Sequence, residues 1–230
     1  MSRTAIIIPT HNRAKLLPGA LASIAAARAN HPGASELIVI DDGSTDDTPA
    51  ILASAHAAGQ VHQVITHPHP RGPAAARNAG WKATTAPLIA FTDDDCEVDA
   101  NWLIQLVQAL TSAPKEVAGI GGRVRAARPG LIADYMTHHH ILEPPESLAY
   151  LVTANVVFRR AALEAVGGFD EAVKAPGGED PGLCMTLRDH GYRFGLEDRA
   201  VVSHHYRPRF TSYIRTFYRY GRGCHLVMDP

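Results

Sequence analysis

Cysteine is scarce in this 230-residue chain: Cys96, Cys184 and Cys224 lie far apart and form no Cys-x-x-Cys pair. An odd, dispersed set excludes a disulfide framework and a zinc ribbon, and it fits a reducing cytoplasm. Long apolar runs are also missing, since none approaches the ~18 residues that a membrane span needs. The apolar stretch Ala5–Ile8 is shorter than the roughly 7 residues of a secretory signal core. It runs straight into the turn residues Pro9 to Asn12. These absences lead us to expect a soluble, cytoplasmic protein. The ending "VMDP" is abrupt and leaves a longer parent chain open.

Several catalytic signatures are absent too. "GIGGRV" (119–124) lacks the G-x-G-x-x-G spacing, and there is no GK[ST]. A dinucleotide dehydrogenase and a P-loop enzyme are thereby disfavoured. No G-x-S-x-G elbow is present for an acyl hydrolase. The formal net charge of −1 argues against a general nucleic-acid binder.

Hydrophobic residues make up 46% and charged residues 20%, the composition of a folded, non-membrane chain. Its charge is unevenly spread. From Arg199 to Met228 there are six arginines (Arg199, Arg207, Arg209, Arg215, Arg219, Arg222) and no Asp or Glu. Such a tail suits an anionic partner.

The first half alternates apolar runs with helical patterns. "TAIIIP" (4–9), "SELIVIDDG" (35–43), "VHQVIT" (61–66) and "PLIAFTD" (87–93) read as strands. Segments 14–29, 44–59, 72–85 and 101–112 read as helices, with Pro49 just inside the second and Gly59 closing it. This alternation predicts an α/β domain with a mainly parallel sheet flanked by helices. Ligands in such sheets bind beyond the carboxyl ends of the strands. Three polar clusters fall there: Thr10 to Arg13, Asp41 to Ser44, and Asp93 to Asp95.

The second half is less regular. Residues 116–127 read as one or two strands, 128–150 as loop, 151–160 as a strand, and the stretch from Ala161 as a short helix ending at Gly167–Gly168. "GGEDPGLCMTLRDHGYRFG" (177–195) sets two glycines and an acidic pair before a helical run, and 199–207 reads as a short strand. No linker or repeat interrupts the chain, so one domain with two lobes is expected.

The triplet in "FTDDDC" (91–96) poses the sharpest chemical question. Three adjacent carboxylates repel one another and are costly to bury unpaired. A hard divalent cation resolves this when phosphate oxygens complete its shell. On a turn just past a strand, Asp93 and Asp95 can approach one bound cluster.

The conjunction of motifs is more specific than any one of them. "IIIPTHNR" (6–13), "VIDDGSTDDT" (39–48), "RGPAAARNAG" (71–80), "FTDDDCEVDANWL" (91–103), "NVVFRRAALEAVGGFDE" (155–171), "GGED" (177–180) and "AVVSHHYRP" (200–208) occur in this order. Together they closely resemble the family 2 glycosyltransferases of GT-A fold, from the first residues to about residue 225. The resemblance implies inverting, non-processive transfer of a sugar from a nucleotide diphosphate donor with Mn2+ or Mg2+. UDP-, GDP- and dTDP-linked donors all fit, and the acceptor is a glycan, a lipid-linked or a small-molecule hydroxyl. It implies a nucleotide-sugar lobe over about 1–100 and an acceptor lobe over about 101–230.

The resemblance also assigns roles. Pro9, Thr10, Asn12 and Arg13 look like the first nucleotide-contacting loop. Asp42 matches the acidic residue on the pyrimidine base and Arg77 the basic residue near the nucleotide. Asp95 would bind the metal directly, with Asp93 and His204 as further candidates, while Asp93 or Asp94 would hold the donor ribose or sugar. Asp180 aligns with the general base, and Glu179 would help to hold acceptor or donor. Two departures stand out. Gly182 occupies a position where many relatives carry a second acidic residue. The Q-x-x-R-W motif of the processive branch is absent, since the tryptophans are Trp81 and Trp102. Two rival readings are a sugar nucleotidyltransferase, for which the basic glycine-rich loop is missing, and a catalytically silent nucleotide-sugar-binding protein.

Other features have plainer readings. "HHH" (138–140) reads as polar loop, and Cys96 and Cys184 as small buried residues. In 209–224, Phe210, Tyr213, Ile214, Phe217 and Tyr220 recur at helical spacing, with Arg215, Arg219 and Arg222 on a second face. This is either a helix packing its aromatic face on the core, or a segment whose arginines meet phosphates or the inner membrane face.

Overall fold

The computed structural model describes residues 3–173, 177–207 and 210–228. Pro208 and Arg209, counted above in the last motif and the basic tail, lie outside the described residues. One mixed sheet organises the rest. Its strands are β1 (Thr4–Thr10), β2 (Ser35–Asp41), β3 (Gln63–Thr66), β4 (Leu88–Thr92), β5 (Cys96–Val98), β6 (Val117–Ala126), β7 (Asn155–Arg159) and β8 (Arg193–His204). They lie in the order β3-β2-β1-β4-β7-β6-β8-β5.

The expected parallel half is present. β1 pairs in parallel with both β2 and β4, and β2 with β3. β7 runs antiparallel to β4 and to β6, while β6 and β8 are parallel again. The antiparallel insertion matters for the site. Asn155, which starts β7, sits opposite Thr92, which ends β4. The chain entering β7 thus reaches the same sheet edge as the turns leaving β1, β2 and β4.

The helices are α1 (Leu17–Asn30), α2 (Thr48–Ala57), α3 (Pro73–Lys82), α4 (Trp102–Ser112), α5 (Leu131–His138), α6 (Arg160–Val166), α7 (Glu179–Asp189) and α8 (Phe210–Met228). Proline in the first turn of α1, α2 and α3 presets φ where no backbone donor is needed. Both faces of the central strands are covered. On β1, Ile6 and Ile8 join the layer of Leu17, Ile24 and Trp102, while Ala5 and Ile7 join that of Trp81, Phe91 and Phe158. This two-sided burial explains continuous apolar runs rather than alternation. Each fully buried isoleucine contributes on the order of 2 kcal/mol. Gly80 lets α3 approach the sheet, since a Cβ there would press into Ile7 Cγ2 and Ile40 Cδ1.

Three expectations are corrected. Residues 128–150 are not all loop, because α5 forms within them. Its signal was masked by Pro129 and Gly130 before it and Pro144–Pro145 after it. The last strand is no short segment: β8 spans 12 residues from Arg193, where "RFGLEDR" reads as polar. The helical run from 177 also stops earlier, α7 ending at Asp189.

Candidate active site

The turns at this sheet edge enclose a cavity of about 720 Å3, lined by segments from Pro9 to Tyr220. That volume suits a small-molecule ligand. Of the residues singled out from the sequence, Pro9, Thr10, Arg13, Asp42, Arg77, Asp93, Asp94, Asp95, Glu179, Asp180 and His204 all line it. Asn12 does not: it is exposed, with φ +55, and its Oδ1 accepts the amide protons of Thr45 and Asp46. It braces the loop, and His11 lines the cavity beside it.

Arg13 bridges the carboxylates leaving β4. Its Nε donates to Asp94 Oδ1 at 3.1 Å and its Nη2 to Asp95 Oδ2 at 3.0 Å. His204 Nε2, from the end of β8, stands 3.3 Å from the other Asp95 oxygen. Burial works against ionisation of Asp95, but His204 and Arg13 hold its carboxyl down to about 2. Asp94 goes the other way. Burial and the neighbouring Asp95 charge push it up to about 7.

Ligand atoms of Asp95, Cys96 and His204 fall within 4.8 Å of one another. Burial pushes the Cys96 thiol well up, so it stays protonated and offers a hard cation little. A carboxylate and an imidazole at the cavity wall fit a divalent ion whose remaining ligands are phosphate oxygens or water. Asp93 stands apart from this cluster. Its Oδ1 accepts from Arg77 Nη2 at 2.9 Å.

Arg77, on α3, is buried, and its Nη1 donates to Glu179 Oε1 at 3.1 Å. Burial opposes its charge, yet the carboxylates of Asp93, Asp180 and Glu179 hold its pKa above the ordinary arginine range. Glu179 Oε2 accepts the Gly177 amide at 2.6 Å. Asp180, beside it in the first turn of α7, accepts from Thr153 N at 2.9 Å and from Thr153 Oγ1 at 2.9 and 3.0 Å. Burial, reinforced by Glu179, pushes the Asp180 carboxyl up to about 7. A carboxyl poised near neutrality is suited to taking up a proton.

Asp42 is heavily used by the protein itself. Oδ1 accepts from His67 Nδ1 at 2.7 Å and from Arg71 N at 2.9 Å, and Oδ2 from Gly72 N at 2.8 Å. It therefore ties the turn after β3 to the start of α3.

Five contributors were not singled out from the sequence: Thr153, Arg71 and the α5 side chains Ile132 and Met136 line the cavity, and His67 holds Asp42. No local pattern marks Thr153, whose partner lies on another element. Tyr213, Phe217 and Tyr220 of α8 line the cavity, whereas Phe210 and Ile214 are exposed. Gly178 packs so closely on Gly223 that a Cβ would meet its carbonyl oxygen, which seats α8 beside the start of α7.

The architecture is that of GT-A-fold glycosyltransferases. Among solved structures, a mannosyltransferase from Pyrobaculum calidifontis, in complex with GDP-Man and Mn2+, superposes with a TM-score of 0.71 at 24% identity, over 93% of this chain and 60% of its own. S. aureus TarS in complex with UDP-GlcNAc gives 0.68 at 20% identity, covering 89% and 59%. The sequence profile of Glycosyl transferase family 2 matches residues 5–167, and the chain belongs to that family. A pre-mycofactocin glycosyltransferase of Mycobacterium tuberculosis (strain CDC 1551 / Oshkosh) is 32% identical over 94% of this chain and 45% of its own length. A validoxylamine A glucosyltransferase of Streptomyces hygroscopicus subsp. limoneus is 30% identical over 81% and 48%. The chain thus spans under half the length of these two relatives. Among the described residues, no helix is long and apolar enough to cross a membrane.

Proposed function

We propose that this chain transfers a glycosyl group, with inversion and without processivity, from a UDP-, GDP- or dTDP-linked sugar to a hydroxyl acceptor. The observation that carries the reading is that Asp93–Asp95 and Asp180 line one cavity, each group with its own charge control. The nucleotide-sugar lobe is the chain to about residue 100, and the acceptor lobe the rest.

Asp180 is the base. Its carboxylate accepts the proton of the acceptor hydroxyl while that oxygen attacks the anomeric carbon and the bond to the diphosphate breaks. Thr153 orients the carboxylate through its amide and hydroxyl. Glu179 and Asp93 are tied to Arg77, which keeps positive charge between the two acidic groups. Asp95 and His204 would hold Mn2+ or Mg2+. When bound, that ion neutralises the diphosphate and stabilises it as a leaving group. Pro9, Thr10, Arg13 and Asp42 border the donor side, Asp42 by fixing the loop that faces the nucleotide.

Acceptors considered are a glycan, a lipid-linked hydroxyl and a small molecule. Free, buried Cys96 and Cys184 support a reducing, cytoplasmic setting. The arginine-rich C-terminal segment supports contact with the inner membrane face.

Proton NMR of donor turnover with water as the surrogate acceptor tests this. Whichever α-linked donor is turned over should first release the β-anomer, with metal required and with Asp180→Asn turning over at least a hundredfold more slowly. First release of the α-anomer contradicts inversion, and unchanged turnover in Asp180→Asn contradicts the base. A silent binding protein would bind nucleotide and release no sugar.

A further inference from the structure

Among the described residues, six large apolar side chains stand exposed, and five of them belong to α5 and α8. Leu131 (87% exposed) and Tyr135 lie on α5, and Phe210 (67%), Ile214 and Tyr218 (68%) on α8. The two helices meet where Tyr135 packs edge-on against Tyr213, ring centroids 5.8 Å apart. Phe210, Ile214 and Tyr218 recur every four residues and form one stripe along α8. The stripe adjoins the row of Tyr213, Phe217 and Tyr220 that lines the cavity, and Phe210 stacks on Tyr213 with ring centroids 5.9 Å apart. Exposed apolar side chains gathered in one place mark a contact surface rather than ordinary surface scatter.

Charge selects the occupant. Arg215 and Arg222 are exposed and border the stripe on the same side of the helix. Asp134 is the sole acidic residue on the two helices. An apolar stripe flanked by arginines is the design of a helix lying in a membrane interface, where the rings enter the acyl boundary and guanidinium groups meet anionic headgroups. α8 is not apolar enough to cross.

We propose that the α5–α8 face docks this protein on an anionic bilayer. The same two helices wall the cavity through Ile132, Met136, Tyr213 and Tyr220, so docking brings that wall to the headgroup layer. The docking stands on surface geometry, and only its value to the reaction rests on the glycosyl-transfer reading.

The test is co-sedimentation with vesicles, without nucleotide, at low ionic strength. Binding is expected to phosphatidylglycerol–phosphatidylcholine mixtures, and it should be weaker on phosphatidylcholine alone and in high salt. Arg215→Gln with Arg222→Gln should loosen binding about 30-fold. Phe210→Ser, Ile214→Ser and Tyr218→Ser together should abolish it, with the thermal midpoint unchanged in both variants. Absence of vesicle binding, or binding that neither variant weakens, overturns the proposal. So does a lipid-free oligomer that the triple variant dissolves, for the stripe is then a contact between protein copies. Nucleotide binding measured on the same samples separates the readings: its absence contradicts glycosyl transfer and leaves docking standing.

Discussion

Asp93 and Glu179 accept hydrogen bonds from the two terminal nitrogens of a single guanidinium, that of Arg77, at 2.9 and 3.1 Å. One residue follows β4 and the other opens α7, so a buried cation joins the acidic turn to the helix that carries Asp180. Removing the cation leaves the buried carboxylate of Glu179 without its charged partner. Arg77→Met should therefore lower stability by about 3–5 kcal/mol, measured by urea unfolding. A loss below about 1 kcal/mol would mean that the pair is solvated and structurally dispensable.

Thr153 is the hydroxyl that stabilises the ionised form of Asp180, donating at 2.9 Å. The Asp180 carboxyl is pushed up to about 7 by burial and by Glu179. A base works deprotonated, so kcat/KM should rise with pH through about 7 and level off above it. Thr153→Val removes a donor to the charged form and raises the carboxyl further. Its rising limb should move to higher pH, with donor affinity unchanged. A limb that stays in place would detach Thr153 from the base.

Gly80 brings α3 against β1 and β2 where a Cβ would press into Ile7 and Ile40. Gly80→Val should cost about 1–3 kcal/mol by overpacking. The readout is the shift in urea midpoint at constant slope. A neutral result would mean that both isoleucines find other rotamers at no cost.

The parallel half of the sheet was legible because β1, β2 and β4 are buried on both faces, which leaves "AIII", "LIVI" and "LIAF" as unbroken apolar runs. β5, three residues long, carries no period at all. α5 is eight residues bracketed by proline and glycine, and it packs on β6 rather than declaring itself locally. In the site, the acidic turns could be read from their strand-end positions. Their partners could not. Arg13 meets Asp94 and Asp95 where the ends of β1 and β4 come together, and Thr153 meets Asp180 where the chain entering β7 faces the start of α7, segments far apart along the chain. Asn12 shows the converse, a motif residue whose side chain serves the loop instead of the cavity.

The central claim is that Asp95 and its neighbours bind a nucleoside diphosphate together with a divalent ion. Thermal unfolding with UDP, GDP and dTDP, each with Mn2+, with Mg2+ and with EDTA, addresses it most directly. Ligand at a hundred times its Kd adds about 2.7 kcal/mol, which for a chain of this size raises Tm by roughly 5–10 °C. The account predicts such a rise for one nucleotide, with metal, in the wild type, and its loss with EDTA and in Asp95→Asn. Equal stabilisation with and without metal, or in Asp95→Asn, would contradict it.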